Sequence, residues 1–165
     1  MPPQLIVDPA TIATDRVLFD LDAIRRHNPQ RFEMEQLTAV VDLDTAKGLI
    51  VGYLDVGTDE FWIRGHLPNY PLMPGVLVCE AAAQLCGFYC HRAGLVGDGF
   101  LGFGGMEEVR FRSPIRPGDR LVIVGKAEKI RPRQQVFQVQ GFVGTNMVFH
   151  GKVIGVPIPR SDPNP

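Results

Sequence analysis

A histidine on a proline-stiffened loop and a carboxylate in an apolar run are the two side chains of this sequence best placed to do chemistry. His66 lies among Pro68, Pro71 and Pro74, and Glu80 follows in Val76–Cys90, where Gln84 is its only strongly polar companion. Burying an ionisable group is costly, so Glu80 calls for a reason. Glu80 and Gln84 are four residues apart and share one helix face. Pro74-Gly75 suits a sharp turn into that helix, and the free N–H groups of a first helical turn favour negative charge. The Gly75 N–H is thereby a candidate to polarise a carbonyl oxygen, with no side chain to keep a substrate away. A neutral imidazole, a carboxyl in apolar surroundings and an oxyanion-type donor are the components of proton abstraction beside a carbonyl. The competing reading makes Glu80 a structural carboxylate satisfied across a subunit interface.

Other chemistries find less support. Cys79, Cys86 and Cys90 all fall in the same predicted helix, an odd number at helical spacing, so they read as small core residues rather than a disulfide framework. His27, His66, His91 and His150 show no zinc-type spacing with them, and no metal site is expected. A net charge of −1 exerts no global pull on nucleic acid or membranes. The N-terminus lacks a basic region followed by a long apolar stretch, and Val76–Cys90 falls short of the roughly 18 residues of a membrane span. A cytoplasmic protein without membrane association is expected.

These side chains need elements to position them. With 165 residues and 45% hydrophobic content, one domain is expected over 15–156, after an extended or mobile leader at 1–14 and before an irregular tail at 157–165. Asp20 or Asp22 can cap a short helix through Ile24 and His27, stopped by Asn28-Pro29. Strands are predicted from Phe32 to Asp42 and from Leu49 to Val56, joined by the turn at 44–48. A helix from Gly75 to about His91 is ended by Gly94. Four strands follow, at Phe100–Phe111, Arg120–Ile130, Gln134–Val143 and Met147–Val156. This order is α+β, an antiparallel sheet around one long buried helix, without the βαβ units of a doubly wound fold.

The stretch from Gly65 to Gln84, with His66, Pro68, Pro71, Met73-Pro74-Gly75-Val76, Glu80 and Gln84, resembles the signature of the β-hydroxyacyl-acyl-carrier-protein dehydratases. Phe103 to Asp119, ending Pro117-Gly118-Asp119, is similar to that family's second segment, and Pro29-Gln-Arg-Phe32 more loosely to its early Pro-His-Arg segment. The resemblance covers about residues 20 to 156. It implies a hotdog fold and a homodimer with composite sites, with assembly into larger groups of dimers left open. By the same resemblance His66 is the base at the α-carbon, and Glu80 from the partner assists departure of the β-hydroxyl. Gly75 binds the thioester oxygen, the Leu72 carbonyl orients His66, and Gln84 supports the polar end of the site. No cofactor is implied beyond the phosphopantetheine of an acyl-carrier protein, or coenzyme A, that carries the substrate. Leu67 and Asn69 replace the usual Phe and Gly, and Gln30 replaces His, departures that bear on acyl preference and tunnel gating.

From Arg110 to Arg133 eight Lys or Arg residues face only Asp119 and Glu128, a local net charge of +6. That suits an acidic carrier protein or the phosphates of coenzyme A; no nucleic-acid motif accompanies it. Two further functions use similar residues: an acyl-thioesterase, in which the helix carboxylate activates water, and a non-catalytic acyl-thioester-binding protein.

Overall fold

The structure, a computed structural model, describes residues 3–160. Period-two alternation of apolar residues, punctuated by glycine turns, produces six strands: β1 (Ala39–Asp44), β2 (Leu49–Asp55), β3 (Phe100–Phe111), β4 (Arg120–Arg131), β5 (Gln134–Val143) and β6 (Asn146–Ile158). They form one antiparallel sheet in the order β1-β2-β4-β5-β6-β3. The α+β arrangement read from the sequence is present, with one long helix at Gly75–Arg92 in place of the sheet-covering helices of an α/β protein. The last four strands follow their predicted bounds closely, although β6 runs to Ile158, past the point where the irregular tail was expected to begin. Residues 161–165 of that tail, and residues 1 and 2 of the leader, lie outside the described residues.

The helix α2 (Gly75–Arg92) packs on the face carrying Ile50, Leu121, Ile123, Phe137 and Val139. Ala81 and Ala82 are completely buried, and Gly52 in β2 lets the helix come close: a Cβ there would stand 2.7 Å from Leu85 Cδ1. The helix stops where Gly94 takes φ +70°, a conformation that suits glycine. The short helix α1 (Leu21–Arg25) starts at Asp20, whose Oδ1 accepts from the Ala23 N–H at 2.9 Å, and ends before His27.

One segment differs from the sequence expectation, and the leader has contacts that expectation did not specify. Residues 32–38 are not strand: Phe32–Met34 is a 3₁₀ turn, and β1 begins only at Ala39. The physical reason is Gln84 of α2, whose amide accepts from the Gln36 N–H at 2.9 Å and donates to the Met34 carbonyl at 2.6 Å, taking backbone groups a neighbouring strand would have used. From Pro3 on, the leader lies on the sheet face away from α2. Ile6, Val7 and Ile12 pack against a second cluster that includes Val51, Tyr53, Val124 and Phe142. Gln140 holds the leader at both sides, accepting from the Ile6 N–H at 3.0 Å and donating to the Gln4 carbonyl at 2.8 Å.

Candidate active site

The loop before α2 is wound tightly enough to fix one imidazole. The His66 N–H donates to the Trp62 carbonyl at 2.7 Å, and Trp62 is buried in the core. Pro68, Pro71 and Pro74 restrict the following backbone. Leu67 and Asn69 both take left-handed φ values, +59° and +66°. Asn tolerates this region better than most residues, so Asn69 supplies the conformation that glycine usually provides, whereas Leu67 holds it under strain.

His66 Nδ1 lies 2.7 Å from the Leu72 carbonyl oxygen. A carbonyl only accepts, so Nδ1 is the donor, and in the neutral ring the lone pair is on Nε2. The ring opens on a cavity of about 510 Å³ lined by Tyr70, Met73, Gly75, Val78, Phe111 and Ile115. Gly75 is the first residue of α2, so the cavity meets the positive end of the helix. Its lack of a side chain matters here: a Cβ on Gly75 would come within 2.8 Å of the Phe111 ring. Phe111 stacks on Phe149 with centroids 5.6 Å apart, and it forms the wall opposite the helix terminus.

Glu80 lies elsewhere. Five residues beyond Gly75, it is turned about 140° around the helix axis from it. It lines a second cavity, of about 210 Å³, with Gln30, Ala83, Gln84, Leu101 and Phe103. Gln84, 3% exposed, donates from Nε2 to Glu80 Oε1 at 2.8 Å, while its own oxygen is taken by the Gln36 N–H. The amide is thus locked and presents an N–H to the carboxylate. One chain therefore brings together His66, Leu72 and Gly75 at one cavity, and Glu80 and Gln84 at another.

Val76, Cys79, Glu80, Ala83 and Gly87 follow the spacing of a single helical stripe, and all of them keep solvent exposure while the rest of α2 is largely buried. Beside that stripe, β3 is the sheet's edge, twelve residues long and bulged at Phe103/Gly105 and Glu107/Arg110. Phe103 and Phe111 on this strand are exposed.

The basic segment does not stay together. Arg112 lines the His66 cavity and donates from Nε to His150 Nδ1 at 3.1 Å. Arg116 donates to the Tyr70 hydroxyl at 2.7 Å and lies over the same ring, 4.7 Å from its centroid. Arg120 is paired with Asp55 at 2.6 Å. Arg131 sits at the far end of β4, about 35 Å along the strand from Arg120 at 3.3 Å per residue. Of these only Arg112 lines the cavity, while Arg116 reaches its rim through Tyr70, and nothing in the local sequence distinguishes the two from the other basic residues. Tyr70, Phe111 and Ile115 were likewise not singled out, because their place at the cavity depends on packing between β3, its following loop and the His66 loop.

The cysteines are not set up for chemistry. Burial pushes Cys86 upward and Cys90 up to about 12, so both stay protonated. Among the described residues no group of three or more His, Cys, Asp or Glu could hold a metal, and no helix is long and apolar enough to cross a membrane.

The family described as a FabA-like domain matches residues 28–154. This chain belongs to that family. Among curated relatives, the 3-hydroxyacyl-[acyl-carrier-protein] dehydratase FabZ of Clostridioides difficile (strain 630) is 32% identical over 138 residues, 83% of this chain and 96% of the relative. The enzyme of the same name from Alkalilimnicola ehrlichii is 31% identical over 147 residues, covering 87% and 94%. Among solved structures, the dehydratase heterocomplex ApeI:P from Xenorhabdus doucetiae matches with a TM-score of 0.68 at 18% identity, over 84% of this chain and 92% of that one. That likeness shows the fold, a hotdog, in this FabA-like chain.

Proposed function

We propose that this FabA-like protein dehydrates 3-hydroxyacyl thioesters to trans-2-enoyl thioesters, with the acyl group carried on the phosphopantetheine of an acyl-carrier protein. The observation that carries the reading is the Leu72 carbonyl 2.7 Å from His66 Nδ1, which turns Nε2 of the neutral ring toward the wall of an apolar cavity beside the N-terminus of α2. The thioester oxygen is held at the Gly75 N–H, where the enolate charge that develops on proton removal is stabilised. His66 Nε2 takes the α-proton. The Cβ–O bond then breaks with its electron pair on oxygen, and the Glu80 carboxyl gives that oxygen a proton, releasing water.

His66 and Glu80 open on separate cavities of one chain, so the pair is completed by a second copy. An open stripe of α2 and a twelve-residue edge strand with two exposed phenylalanines give that copy its surface. In the resulting homodimer His66 of one protomer works with the partner subunit's Glu80. Arg112 and Arg116 beside the cavity suit the phosphodiester of an incoming phosphopantetheine and an acidic carrier.

The test is turnover of 3-hydroxyacyl carrier-protein substrates of several acyl lengths. Enoyl thioester should form, and His66→Ala and Glu80→Gln should each lower the rate by at least about 10³-fold while the protein stays folded. Release of free thiol without enoyl product would identify a thioesterase instead.

A further inference from the structure

Behind Glu80 lies a third cavity, of about 10 Å³, on the order of one water molecule. Its polar lining is Asn28, Gln30 and Gln84 on the side of Glu80, together with the paired Arg25 and Glu35, and Leu21, Ile24 and Leu37 supply its apolar wall. Asn28 is 5% exposed, and its Nδ2 donates to the Gln84 carbonyl at 2.9 Å. That bond fixes the amide, so the atom left over is the oxygen. Asn28 Oδ1 is buried and meets no donor among the described residues; Gln30 Oε1 is in the same position. Two buried unpaired oxygens on one water-sized cavity are costly unless a small donor joins them. Water fits both, donating to Asn28 Oδ1 and either donating to or accepting from the unanchored Gln30 amide.

Gln30 and Gln84 line both this cavity and the one that contains Glu80. We propose that Asn28 and Gln30 form a one-water site, and that Gln30 and Gln84 are the polar passage through which the water eliminated at Glu80 leaves the apolar acyl cavity. The proposal rests on the dehydratase reading. In the elimination the α-proton goes to His66, the Cα–H electrons form the double bond, and the departing oxygen takes the Glu80 proton to become water. That molecule appears beside an amide N–H of Gln84, in a cavity otherwise walled by Ala83, Leu101 and Phe103. The adjoining one-water site offers it two acceptors. In the reverse hydration the same site supplies the water. Gln30 is a positioning residue for that molecule and makes no bond to the acyl chain.

Two measurements test this. A high-resolution crystal structure should show an ordered water within hydrogen-bond distance of Asn28 Oδ1, about 2.7–3.2 Å; a dry cavity overturns the water site. For the passage, a 3-[18O]hydroxyacyl thioester is incubated in deuterated water of ordinary oxygen, and recovered substrate is analysed by mass for α-deuterium and 18O. Deuterium gained by enolate reprotonation with the Cβ–O bond intact is set by the Glu80→Gln protein and subtracted. Of the remaining deuterated molecules in the unaltered protein, nearly all should have lost 18O, because the eliminated water exchanges before it returns. In Gln30→Leu several-fold more of the deuterated molecules should keep 18O, with the thermal midpoint unchanged. Equal retention in the two proteins overturns the passage. An unaltered protein that forms no enoyl product removes the dehydratase reading and the passage with it, while diffraction still decides the water site.

Discussion

Asn69 and Leu67 show how a residue substitution is read through its backbone conformation. Both sit at positive φ beside His66, where glycine or asparagine fits at little cost and an apolar residue such as Leu67 is strained. Asn69→Ala should therefore destabilise the protein by about 1 kcal/mol and lower the thermal midpoint by roughly 2–4 °C, read by calorimetry. Asn69→Gly should leave it nearly unchanged. A second prediction concerns His27 and His91, whose rings lie 5.6 Å apart at the end of α2. Burial holds both below the ordinary histidine value, with Arg92 and Arg26 adding to the effect on His27, and His27 and Arg160 to that on His91. His91 Nε2 is buried with no partner among the described residues. The unfolded chain then binds more protons than the folded one just below about pH 6.5, so stability falls as pH drops through that range. Thermal midpoints measured from pH 7.5 to 5.5 should decline, and less steeply in His91→Gln.

At the scale of elements, β3 to β6 were readable because their alternation and turn glycines are local signals. Glu80 and Gln84 were also readable, as polar residues four apart in an apolar helix. The segment at 32–38 was misread as strand since its apolar content is strand-like, and what decides its shape is Gln84, some fifty residues later. The leader was equally opaque: Gln140, which holds it, lies more than 130 residues away in sequence. No local pattern announces such contacts. Because Ile6, Val7 and Ile12 cover apolar side chains of the outer sheet face, deletion of residues 1–12 should expose that patch. The truncated protein should melt at lower temperature and self-associate on light scattering. Unchanged melting and size would mean that the leader's contacts contribute nothing to stability.

At the scale of the whole molecule, the proposed function requires two chains, because one chain does not bring His66 and Glu80 to the same cavity. His66 and Glu80 line different cavities, and on the proposed reading the open stripe of α2 beside the β3 edge is where a second copy brings them together. Composite sites make activity depend on assembly, so specific activity should fall when the enzyme is diluted below its dimer dissociation constant. The most direct measurement is complementation between two inactive variants, His66→Ala and Glu80→Gln, unfolded together and refolded as a mixture. In a mixed dimer one site pairs the intact His66 with the intact Glu80, and the other holds both substitutions. Random pairing makes about half the dimers mixed, each with one working site, so the mixture should recover about a quarter of the unaltered enoyl-forming activity. A refolded mixture as inactive as its two components, while size exclusion shows that dimers have formed, would contradict the shared site.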